Sequence, residues 1–116
     1  MTTEFSQNEW DKLIEAYPVG TELTGVVKSQ QQYGVWVTLD ELPEVPALLE
    51  VVHFEAIESK PNRKLQFPDS YPAVGERISS RVLAWCEVPK DVRLTQLSHL
   101  DWSHQLFLRE QAGGDA

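Results

Sequence analysis

The stretch QQQYGVWVTL, residues 30–39, decides how the rest of the chain is read. Valine, threonine and aromatic residues crowd into it, and they alternate with the period of two that marks a strand with one buried face. One face takes Tyr33, Val35, Val37 and Leu39, and the other takes Trp36 and Thr38. A tryptophan on the solvent side of a strand is either a platform for a flat ligand or half-buried packing.

Working outward, four further segments carry strand character: 22–29, 47–52, 77–85 and 91–96. Gly, Pro and Asp punctuate the gaps between them, and five short strands so spaced predict a small barrel. Before the strands lies a capped helix. Ser6 caps, Glu9 completes a capping box, Phe5 staples against Trp10, and Trp10, Leu13, Ile14 and Tyr17 form one apolar stripe that Pro18 ends. The longest gap, from residue 53 to 72, holds the basic cluster Lys60, Arg63 and Lys64; Leu65, Phe67 and Tyr71 are expected to pin it to the body. Ser98 with Asp101 opens a second capped helical segment, and AGGDA is expected to fray. The organisation expected is a helix over 1–17, a barrel over 18–96, and a short helical segment with its tail over 97–116.

The 116 residues suit one domain with a modest core. No run is apolar for long enough to span a bilayer and the polar start lacks a secretory pattern, so a cytoplasmic location without membrane contact is expected. The single cysteine, Cys86, has no internal disulfide partner. No metal site or cofactor is expected, because His53, His99 and His104 lack ligand spacing with Cys86 or with carboxylates. No nucleophile elbow, phosphate loop or catalytic carboxylate pair stands out, which argues against an enzyme. Eighteen acids against ten bases give a net charge of −8, an unusual sign for a nucleic-acid binder. Between residues 29 and 59 there are six carboxylates and no Lys or Arg.

The order of features resembles the S1 RNA-binding domain family. The residues that carry the likeness are VGTELTGVVKSQQQYGVWVTL, VPALLEV, YPAVGERISSRVLAW and VRLTQ, which together span 18–96. The resemblance implies a mainly β fold, a five-stranded OB-fold barrel, to which the N-terminal helix and the short C-terminal helix are additions. It also implies that both second-strand aromatics sit on a ligand face, with a bulge at Gly34 bringing Tyr33 to the side of Trp36. Paired exposed rings stack on successive bases of a single strand. The family commonly carries a histidine on the third strand, an aspartate ending the fourth and an arginine before the last. The matching positions here are Glu50, Cys86 or Glu87, and Asp91, so the aromatic half of an RNA site is kept and its cationic half is largely inverted.

Two alternative partners are expected on this basis. Single-stranded RNA would stack on Tyr33 and Trp36, with Lys28, Arg81, Lys90 and Arg93 offsetting phosphate charge. Alternatively, an acidic surface of Glu44, Glu50, Glu55 and Glu58 would capture a basic protein, in the manner of an inhibitor or immunity protein, with electrostatics favouring fast association. A third possibility is that the terminal helices cover the ligand face and drive self-association.

Overall fold

The computed structural model describes residues 5–60 and 64–98. Five strands form, β1 (Glu22–Gln31), β2 (Gly34–Leu39), β3 (Ala47–Glu50), β4 (Arg77–Glu87) and β5 (Lys90–Thr95). They close into a barrel in the order β1-β2-β3-β5-β4. Every pairing is antiparallel except β3 with β5. Each strand starts and stops within two residues of its expectation from alternation.

β1 closes the barrel because it serves two neighbours. Its first half pairs with β4 and its second half with β2, and Gly25 faces both Leu39 and Ile78. A Cβ on Gly25 would lie 2.6 Å from the Thr38 carbonyl oxygen, so only glycine permits this approach. The inward positions Leu23, Val27, Val35, Val37, Leu39, Leu49, Val82, Val92 and Leu94 fill the interior.

One helix plugs the barrel at the end marked by Trp85. In α1 (Gln7–Ala16) the Ser6 hydroxyl accepts from the Glu9 N–H and the Glu9 carboxylate accepts from the Ser6 N–H, both at 3.1 Å. Phe5 and Trp10 meet with ring centroids 5.5 Å apart, the staple expected from the sequence. Trp10 is 0% exposed and stands edge-on to Trp85 at 5.3 Å, while the Trp85 indole N–H donates to the Tyr17 carbonyl at 2.8 Å. The helix is part of the core.

The long connection between β3 and β4 begins with a 3-10 turn (Val51–His53) and a five-residue helix, α2 (Glu55–Ser59). Tyr71 anchors the latter part of this connection: its ring lies edge-on to Phe54 at 5.0 Å and to Phe67 at 5.2 Å, and its hydroxyl donates to the Gln32 carbonyl at 2.5 Å. Leu65 packs against the core as well. The expected second helical segment, with His99 and His104, lies outside the described residues, as does Arg63 of the basic cluster.

Candidate nucleic-acid interface

Trp36 and Tyr33 stand side by side, by a route other than the one expected. The ladder has no irregularity at Gly34. Tyr33 leaves the strand altogether and sits with Gln32 in the turn between Gln31 and Gly34, the last pair of the β1–β2 hairpin. From there its hydroxyl accepts a 3.0 Å hydrogen bond from the Trp36 indole N–H. Tyr33 is 50% exposed and Trp36 half-buried. The turn is held by Val51, whose N–H donates to the Tyr33 carbonyl at 2.8 Å, and by Tyr71 beneath it. Gly34 is required here because a Cβ would run into the Leu49 carbonyl and lie 2.8 Å from the Glu50 Cα.

The bulge that shapes this face lies across the ladder, in β1. Val27 pairs with Val37 and Ser29 with Trp36, so Lys28 is the extra residue. Val27 stays in the core, while Lys28 and Ser29 are both delivered to the outer face beside Trp36; re-aiming side chains in this way is a common use of bulges at binding sites. Together with Thr38, Pro43, Glu44 and Pro46 they line an open groove of about 570 Å³ along the Trp36 ring. Lys28, Trp36 and Glu44 thus meet at one place.

A second constellation begins one strand beyond. Register runs Ser29, Trp36, Leu48, Arg93, Ala84 across the barrel, which puts these side chains on one outer row. Arg93 sits between carboxylates, with Nε 3.1 Å from Asp91 and Nη1 3.4 Å from Glu50. Asp91 is only 2% exposed and pairs in register with Cys86. Burial pushes the Cys86 thiol up, and the charge and hydrogen bond of Asp91 push it further. Partial burial works against the Arg93 charge, but the bond to Asp91 and the two carboxylates outweigh it and raise its pKa. Of the positions singled out by the resemblance, Glu50 and Asp91 both hold one guanidinium and Cys86 lies within reach of its charge, while Glu87, the alternative to Cys86, pairs with Lys90. The cluster neutralises itself instead of presenting free positive charge. Glu50→Gln would loosen that hold and remove one negative charge near the rings. A single-stranded RNA titrated as a probe of this face at two salt concentrations is expected to bind that variant about twofold to fivefold more tightly than the native domain, with a log–log salt slope steeper by up to ~0.7.

The other nominated residues lie apart from the groove. Arg81 faces a shallow depression with Glu22, Ser79, Thr95 and Gln96, and its guanidinium donates to the Leu97 carbonyl at 2.5 Å. Lys90 pairs with Glu87 at 3.9 Å and lies 5.9 Å above the Trp10 ring, at the helix-plugged end. The acidic set is dispersed too: Glu44 is on the groove, Glu50 is bound by Arg93, and Glu55 and Glu58 are on α2, where Glu58 accepts from Ser98. α1 lines no part of the groove. Sequence reasoning missed Ser29, Pro43 and Pro46; two prolines three apart in a short connection were the available sign of a rigid wall.

His53 offers a pH readout beside this face. Its Nδ1 lies 3.0 Å from the Thr95 hydroxyl, and burial lowers its pKa, with nearby Glu50 pulling the other way. The unfolded chain therefore holds more protons just below the ordinary value of about 6.5, and the contribution of His53 to stability is lost as pH falls through that window. Thermal melts from pH 7.5 to 5.5 are expected to show a falling midpoint, with a smaller fall in His53→Gln.

No protein-family model matches the chain. Over 80 residues, 69% of the chain, it is 24% identical to small ribosomal subunit protein bS1 of Chlamydia trachomatis, and it spans 13% of that protein's length. The barrel is a five-stranded OB-fold, and its sequence and shape are similar to those of S1 domains. Among solved structures, the chain superposes on the intact alpha subunit of aIF2 from Pyrococcus abyssi with a TM-score of 0.57 and 18% identity, covering 83% of this chain and 35% of that one. It also matches Mycoplasma genitalium RNase R in complex with ribose-methylated single-stranded RNA, with a TM-score of 0.56 and 15% identity over 73% of this chain and 14% of that one.

Proposed function

We propose that this S1-like domain is a non-catalytic binding module for single-stranded RNA, and that it takes successive bases on Trp36 and Tyr33. The carrying observation is the pair of linked rings on the outer face, at the edge of a groove lined by Lys28. Base–aromatic stacking contributes about 1–3 kcal/mol per base and tolerates any sequence. Lys28 makes no ion pair among the described residues, so it is available to a backbone phosphate. The likeness to a protein of the ribosome and to a protein solved with single-stranded RNA supports the same reading.

The charge balance sets the character of that binding. One phosphate contact to a single strand gives a log–log salt slope of about −0.7, whereas a strongly basic binder shows several times that. Affinity should therefore be modest and shallow in salt, with stacking as the larger part. The alternative of an acidic surface for a basic protein is less well supported, because Glu50 and Glu58 already have partners within the domain.

The test is titration of fluorescent oligo(U) and oligo(A) at low and moderate salt, with Trp36→Ala alongside. Binding that is lost in the variant is the expected result. No binding at low salt, or equal binding by the variant, would show that this face does not stack bases.

A further inference from the structure

We propose that the groove beside Trp36 prefers guanine, and that Glu44 is the residue that reads it. The inference rests on the RNA-binding reading above and adds a base identity to it.

Three observations converge on Glu44. The groove's volume of about 570 Å³ falls within the ~300–1,000 Å³ typical of small-molecule sites, enough for one base laid against the indole. Lys28 from β1 and Glu44 from the β2–β3 connection line it together with Trp36, so it carries a cation and an anion. The third is that Glu44 is uncommitted. Among its neighbours in the acidic stretch, Asp40 is bound by Arg77, Glu41 accepts from the Thr24 N–H, Glu50 is bound by Arg93 and Glu58 accepts from Ser98. The side chain of Glu44 makes no hydrogen bond or ion pair among the described residues, and neither does that of Lys28.

Base chemistry then selects the ligand. An ionised carboxylate only accepts hydrogen bonds, so a base seated on Trp36 must turn donors toward it. Guanine offers two adjacent donors on its Watson–Crick edge, N1–H and the N2 amino group, matching the two carboxylate oxygens. Uracil offers one N–H flanked by two carbonyl oxygens, which the carboxylate repels. Adenine and cytosine each place a ring acceptor beside their amino group. Single-stranded bases are read on these edges once unstacked. A base that cannot donate to Glu44 forgoes those hydrogen bonds and turns its own acceptors toward the carboxylate charge. Lys28 holds the phosphate of the same nucleotide.

The experiment measures anisotropy of labelled RNA hexamers at low salt: all-U, and all-U with one central guanine, inosine or adenine. About tenfold tighter binding of the guanine hexamer over all-U is expected, with inosine, which lacks the N2 amino group, in between. In Glu44→Gln, an exposed change, the guanine-to-uracil ratio should fall to about two or less while all-U binding is kept or strengthened. Equal binding of guanine and uracil by the native domain, inosine equal to guanine, or a ratio that survives in Glu44→Gln overturns the base assignment and leaves stacking intact. Failure of every hexamer to bind removes the RNA reading itself, whereas binding unchanged in Trp36→Ala removes stacking at this face; the guanine assignment falls with either.

Discussion

Trp36→Ala is expected to weaken binding of a short single-stranded RNA by about tenfold to a hundredfold, with the fold retained. The magnitude comes from one lost stacking platform, about 1–3 kcal/mol, where 1.4 kcal/mol is a factor of ten. A second contribution comes from Tyr33, because its hydroxyl then loses the indole N–H that it accepts from, and the paired geometry loosens. The cost to stability should be smaller. Trp36 lies on the outer face, outside the core cluster, and its removal chiefly uncovers Leu48, which is 4% exposed on the same row. Anisotropy titrations and thermal melts on the same samples separate the two effects. Large loss of binding with a melting shift under about 5 °C is the expected pair of results. A large melting shift with binding unchanged below the transition would make the ring a structural part.

The origin of this site explains how much of it is legible in the sequence. The helix cap at Ser6 and Glu9 is readable because its chemistry acts over three residues, and the strands are readable because Val35, Val37 and Leu39 alternate with Trp36 and Thr38. Tyr33 shows where alternation fails: the period of two carries it into the strand, whereas the ladder ends at Gly34. The Lys28 bulge leaves no local mark, since a bulge is a property of two strands in register and no glycine stands at that point. The Arg93 cluster is hidden for the same kind of reason. Glu50 and Arg93 are 43 residues apart, and they meet only because β3 and β5 lie parallel in a closed barrel. Charges counted along the chain therefore give the sign of the surface and not its pairing.

Trp10 carries the largest stability effect, and it tests whether α1 is an accessory or part of the fold. Its ring is 0% exposed among Phe5 and Trp85, and Lys90 lies over it. Truncation of a buried tryptophan to alanine costs about 3–5 kcal/mol, a large share of the ~5–15 kcal/mol that holds a domain together. Trp10→Ala should lower the melting midpoint on the order of 15 °C. Trp10→Phe should behave differently. The buried indole Nε1 finds no hydrogen-bond partner among the described residues. An unsatisfied buried donor costs about 1–3 kcal/mol, so phenylalanine relieves that cost while losing some apolar contact. A shift within about 5 °C is expected for Trp10→Phe, with RNA binding in both variants unchanged below their transitions, because α1 lines no part of the groove. If Trp10→Ala melts like the native domain, the helix is detachable and the core is the barrel alone; if it melts early but also loses RNA at low temperature, the plugged end and the Trp36 face are coupled through the strands between them.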